Sequence, residues 1–240
     1  MTKIYEALES AGQGRQGAGL GAGGGIGGAA RMPKPLENKL LGVARRVAPL
    51  AAERGGAAVQ FVSAQGGDDS SRIAVAFSKL VPTRLGKQTL LLAAGPRPAS
   101  GKMLPASGAK GWDSILTGDA SLDDTLYKTD VPGLTVAQVS GNAGSLPTVL
   151  ASPKAAEIMD SLRSRFQMIV VDAPPAGASW DAVVLANLVD GAVIVVEAGR
   201  TRWQAVQAAV DNIEGQNGQV FGVILNKQKH YIPQWVYRLI

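Results

Sequence analysis

FQMIVVDAPP, residues 166–175, is a nearly continuous apolar run that stops on an aspartate and two prolines. A strand apolar on both faces belongs inside a sheet that helices cover on both sides. Its acidic end, Asp172, then lies at the carboxyl edge, where open α/β sheets bind their ligands. Asp172 has two readings at this stage: a carboxylate held against a magnesium-bound water, or a residue that ends the strand and caps the next loop. Outward from this stretch the pattern repeats. Upstream lies the amphipathic stretch SLPTVLASPKAAEIMDSLRSRF (145–166), and downstream ASWDAVVLANLV (178–189), DGAVIVVEAG (190–199), TRWQAVQAAVDNIEG (201–215) and QVFGVILNK (219–227) alternate helix and strand. Nearer the amino end, AAVQFVSA (57–64), SSRIAVAFSKLV (70–81), KQTLLLAAG (87–95) and GLTVAQV (133–139) read strand, helix, strand, strand. The class is α/β, a doubly wound, mostly parallel sheet of six candidate strands with helices on both faces.

Ten of the residues from Gly12 to Gly28 are glycine, so 12–35 reads as a flexible linker. It separates a short head, 1–11, from a body, 36–240. In the head Ile4, Tyr5 and Leu8 share one helical face, which suits a docking helix on a tether. The stretch Leu36 to Arg54 is a helix packed on the body. With no Cys and the single His230, thiolate chemistry, multi-histidine metal sites and histidine-based triads are excluded. No apolar run reaches the roughly 18 to 20 residues of a membrane helix, so a soluble, cytoplasmic protein is expected. The net charge is +5, but the basic residues are scattered, and nucleic acid is not indicated.

The first strand-to-helix turn, Ser63 to Arg72, is where a phosphate loop would cradle an anion with backbone N–H groups, a lysine and a Ser/Thr on magnesium. Gly66, Gly67, Ser70, Ser71 and Arg72 are its candidate residues, with no lysine among them. Read without that context, GGDDSS before an apolar helix is a turn followed by a cap.

The head KIYEAL (3–8), GWDSILTGDASLDDTLYKTDVPGLTV (111–136), LASPKAAEIMDSLRSRFQMIVVDAPP (150–175), DGAVIVVEAGRT (190–201), GVILNK (222–227) and YIPQWVY (231–237) together resemble one family. This is the cytoplasmic domain of bacterial tyrosine kinases, the CpsD/CapB-like P-loop proteins of exopolysaccharide synthesis. The resemblance implies an ATP-binding fold related to MinD, peripheral to the inner membrane through a chain-length (polysaccharide co-polymerase) partner. It leaves room for a homo-oligomer. It also places Ser71 and Asp172 at magnesium and Asn226 at the adenine. The chain departs from the family where the chemistry sits. Gly67-Asp68-Asp69-Ser70-Ser71-Arg72 stands where the family has Gly-Glu-Gly-Lys-Ser/Thr-Thr, so Ser70 replaces the phosphate lysine and Asp69 the second glycine. Ala93 and Ala94 stand where a second pair of aspartates is expected. A carboxylate about 5 Å from a phosphate oxygen repels it by roughly 3 kcal/mol per unit charge at an effective dielectric of about 20. The expectation is therefore a degenerate site with no catalytic residues, no required cofactor and only weak binding of ATP, ADP or magnesium. A working autokinase or ATPase with an unorthodox cation is the rival, and a partitioning-type ATPase a distant third. The tail tyrosines Tyr231 and Tyr237 are read as packing residues.

Overall fold

The computed structural model describes residues 32–66, 69–94, 103, 109–139 and 150–227. The head residues Ile4, Tyr5 and Leu8, the linker up to residue 31, Gly67 and the closing YIPQWVY lie outside them; the last two residues of the expected linker, Lys34 and Pro35, already belong to the first helix. Each apolar run of the sequence forms a strand: β1 Ala57–Ser63, β2 Thr89–Ala93, β4 Leu134–Gln138, β5 Met168–Asp172, β6 Gly191–Glu197 and β7 Val220–Asn226. A seventh strand, β3 Tyr127–Lys128, was not among the six expected. It pairs antiparallel with β4 at the edge, through Tyr127 to Val136 and Lys128 to Thr135. The order is β3-β4-β2-β5-β1-β6-β7, and every other pair is parallel.

The helices are α1 Lys34–Arg54, α2 Ser70–Leu85, α3 Asp113–Thr117, α4 Pro153–Arg165, α5 Asp181–Ala186 and α6 Trp203–Glu214. The ends of α1 follow from its residues. Pro33 and Pro35 open it, since proline suits the first helical turn, and Gly55 closes it in the left-handed conformation. Among the described residues no helix is long and apolar enough to cross a membrane.

Side chains alternate across β1, and the two sets feed two cores. Ala57, Val59 and Phe61 face α1 and α2, joining Leu40, Val47, Ile73, Phe77 and Leu91. The Phe61 and Phe77 rings meet at 5.1 Å, inclined by 51°. Ala58 and Val62 face the other way, towards α4, α5 and α6, with Leu92, Ile169, Leu162, Leu185 and Ile213. Gln60 shares that second face and is fully buried, and its amide donates to the Ala182 carbonyl of α5 at 2.8 Å.

The connections after β1 and β5, which are neighbours in the sheet, leave in opposite directions. The chain after β1 enters α2 on one face, and the chain after β5 enters α5 on the other. Such a switch point opens a crevice at the carboxyl edge of the strands. The first turn of α2 and the end of β5 flank it.

Candidate nucleotide-type site

Asp172 is the last residue of β5, opposite Phe61 in register, and only 1% of it is exposed. Its backbone carbonyl is satisfied by the Ala94 N–H at 2.9 Å. Its side chain is not: neither carboxylate oxygen has a hydrogen-bond partner among the described residues. Burial pushes the Asp172 carboxyl up to about 6, and the Ser71 hydroxyl in the first turn of α2 offsets part of this. A buried carboxylate without a partner asks for a cation. Ser71 and Asp172 are the residues whose donor chemistry would suit a hydrated magnesium ion. The alternative, an aspartate that caps the following loop, fails because its oxygens make no such bond.

The phosphate side differs. Ser70 is buried, Ser71 half-buried and Arg72 exposed, while Gly66 lies at the surface with open space where a Cβ would project. Asp69 occupies the position before α2 with φ 60° and ψ 25°, the left-handed region that costs a residue with a Cβ. A glycine there adopts this turn freely, which explains why a sequence with Asp needs local compensation. The expectation that this turn caps α2 is not met, because Asp69 makes no side-chain bond to the helix amides. Its oxygens turn outward instead. Oδ2 lies 2.9 Å from Lys227 Nζ and Oδ1 3.8 Å from Arg72 Nε. Lys227 also reaches Glu197 Oε2 at 3.2 Å, and Arg200 reaches the same oxygen at 3.3 Å. The bond to Asp69 is the main cause that holds the Lys227 ammonium above the usual lysine range.

Asn226 ends β7 beside Glu197 of β6, and its carbonyl accepts from the Ala198 N–H at 2.9 Å. The first turn of α2 thus sets Ser71 beside Asp172, with Ser70 buried next to it in sequence and the exposed Arg72 paired with Asp69. Where a second acidic strand end was lacking in sequence, β2 closes on buried Ala93 and Ala94. Lys227 was missed from sequence. The available signal was its place directly after Asn226 in GVILNK, where it takes φ 54° and turns back over the loop.

No family model matches the chain. It is 34% identical over 145 residues to the tyrosine-protein kinase CpsD of Streptococcus agalactiae serotype III, a match covering 59% of this chain and 62% of that protein. The kinase domain of VpsO superposes with a TM-score of 0.67 at 26% identity, covering 82% of this chain and 98% of that one. The chain is thus similar to the CpsD/CapB-like tyrosine-protein kinases in sequence and to their kinase domains in fold. It also matches the succinoglycan biosynthesis transport protein ExoP of Rhizobium meliloti, 32% identical over 173 residues, which are 70% of this chain and 22% of that protein. The cell division ATPase MinD of Pyrococcus furiosus shares the fold, with a TM-score of 0.58 at 20% identity over 76% of this chain and 78% of that one. The matched stretch spans about 62% of the length of CpsD, less than the whole of that relative.

Proposed function

We propose that this chain is a degenerate, pseudokinase-type subunit that regulates exopolysaccharide polymerisation and export by binding. Its partner is an inner-membrane polysaccharide co-polymerase of the chain-length class, which holds it at the membrane surface. The observation that carries the reading is the anion at the phosphate loop: Asp69 stands before α2 in a left-handed conformation, ion-paired with Lys227, and Ser70 takes the place of the expected lysine. Phosphoryl transfer rests almost wholly on positioning and charge stabilisation, and this loop offers an incoming phosphate a carboxylate. The carbonyl-edge alanines of β2 supply no second carboxylate pair. The kinship with a succinoglycan transport protein supports the polysaccharide setting.

A second reading, an active autokinase or ATPase, draws on one observation: the unpartnered Asp172 beside Ser71 remains fit for magnesium. Magnesium, when bound with nucleotide, would supply charge neutralisation at the phosphates, with Ser71 and Asp172 orienting its hydration shell. Calorimetric titration with ATP and ADP, with and without magnesium, separates the two. Binding weaker than about 100 μM is the expected result, and magnesium-dependent binding in the low micromolar range would establish the second reading instead.

The head and linker give a further expectation. From their sequence spacing, Ile4, Tyr5 and Leu8 would make a face too small to be buried stably alone, and a glycine-rich linker of about 20 residues would reach roughly 25 Å. Such a tether raises the local concentration of the head at its partner towards millimolar. Deleting residues 1–30 should leave the body folded by circular dichroism and lower both co-purification with the co-polymerase and polymer output. Normal co-purification by the deleted chain would remove the docking role.

A further inference from the structure

Lys227, just past β7, contacts Asp69 at 2.9 Å, and Asp69 stands immediately before the 16-residue helix α2. Both ends of this bridge adopt the left-handed conformation, Asp69 at φ 60° and Lys227 at φ 54°. Residues with a Cβ hold that conformation only when their surroundings impose it. The amino end of α2 favours an anion through its free N–H groups and dipole, and Asp69 supplies one from within the chain.

We propose that the Asp69 carboxylate is a built-in substitute for a ligand phosphate, and that Lys227 is the phosphate-binding cation of this site. The ligand class is a nucleoside di- or triphosphate. The inference rests on the degenerate-site reading above and deepens it, because it states what keeps nucleotide out. Three observations support it. Ser70 leaves no ammonium at the expected place, and Arg72 stands 3.8 Å from Asp69 Oδ1, against 2.9 Å from Oδ2 for Lys227. Lys227 has two carboxylate partners, but Glu197 is shared with Arg200, so losing Asp69 leaves the ammonium under-neutralised. The third is independent of charge at the helix end: Asp172, 1% exposed and with no partner for either oxygen among the described residues, lies at the end of β5 beside Ser71 of the first turn of α2. A carboxylate and a hydroxyl so placed are the donor types that suit a hydrated cation of the kind that accompanies nucleotide phosphates.

The full chain and the variants Asp69→Asn and Asp69→Gly, each with and without Lys227→Met, are titrated with ATP and magnesium, with folding followed by circular dichroism. Asparagine tolerates the left-handed turn and removes the charge; glycine removes both charge and strain, so the glycine variant carries the test if the asparagine variant fails to fold. Removing the Asp69 carboxylate is expected to tighten ATP binding at least tenfold, and adding Lys227→Met is expected to abolish that gain. No gain in either Asp69 variant overturns the proposal, as does a gain that survives Lys227→Met. Tight binding by the unaltered chain would refute the degenerate-site reading alone; Lys227 would then stand or fall by whether Lys227→Met weakens that binding tenfold.

Discussion

Arg163→Ala should lower the free energy of unfolding by about 3–5 kcal/mol, the range for removing one partner of a buried ion pair. Arg163, on α4, has a side chain only 7% exposed, and that of Asp190, at the start of β6, is 2% exposed. Nη1 donates to Asp190 Oδ2 at 2.8 Å and Nη2 to Oδ1 at 3.0 Å, the bidentate geometry in which a guanidinium binds a carboxylate best. Nη1 also donates to the Gly56 carbonyl at 2.7 Å. Asp190 in turn accepts from the Ala58 N–H at 2.8 Å and from Arg54 at 2.9 Å. One carboxylate therefore ties α4, the start of β1 and the end of α1 together at the amino edge of the sheet, opposite the candidate site. Truncating Arg163 leaves a buried charge and a buried carbonyl without their donor, and a nearby arginine that is largely solvated cannot replace it. At roughly 2–4 °C per kcal/mol for a body of this size, the melting temperature should fall by about 10 °C. Arg54→Ala, which removes a side chain 61% exposed, should cost no more than about 1 kcal/mol. Urea unfolding of both variants checks the ordering, and equal losses would mean that Arg163 carries no special share.

Asp172→Asn is expected to do the reverse and stabilise the protein by about 3 kcal/mol at pH 7.5. The Asp172 carboxyl is pushed up to about 6 in the fold, from an ordinary value of 3.8. Between those values the folded chain holds a proton that the unfolded chain has released, so stability falls as pH rises through that window. The penalty is absent below about pH 4 and complete above about pH 6. A shift of about two units corresponds to roughly 3 kcal/mol. Asparagine has the same shape and no charge, so the variant escapes the penalty. The gap between variant and parent should be near zero at pH 4 and widest at neutral pH. A gap that does not change with pH would mean that the charge of Asp172 is not what destabilises the fold. A gain of the expected size marks Asp172 as a carboxylate kept at a cost to stability, as sites that await a ligand commonly are.

The six longer strands were legible in sequence because a buried parallel strand must be apolar on both faces, and runs such as MIVVD and AVIVV satisfy no other environment. The place of Asp172 at the carboxyl edge followed from the same fact. β3 escaped notice because Tyr127–Lys128 is two residues long and owes its conformation to pairing with β4, not to any pattern of its own. The helix-cap reading of the Asp69 turn failed for a similar reason: capping preference is local, but the Asp69 carboxylate is drawn off by Lys227 and Arg72.

By itself, then, the order of apolar runs and turns determined the layered sheet and the crevice at its carboxyl edge, since periodicity acts over short stretches, while the reading of Ser70 in place of a phosphate lysine rests on the family resemblance. Only the tertiary structure decided which charges meet. Asp190 is joined to Arg163 and Arg54, and Asp69 to Lys227, across long intervals of chain, and the Asp172 carboxylate has no partner among the described residues. Those outcomes depend on which strand ends and helix termini the fold brings within about 3 Å, and charge interactions depend on distance and burial that no local pattern encodes.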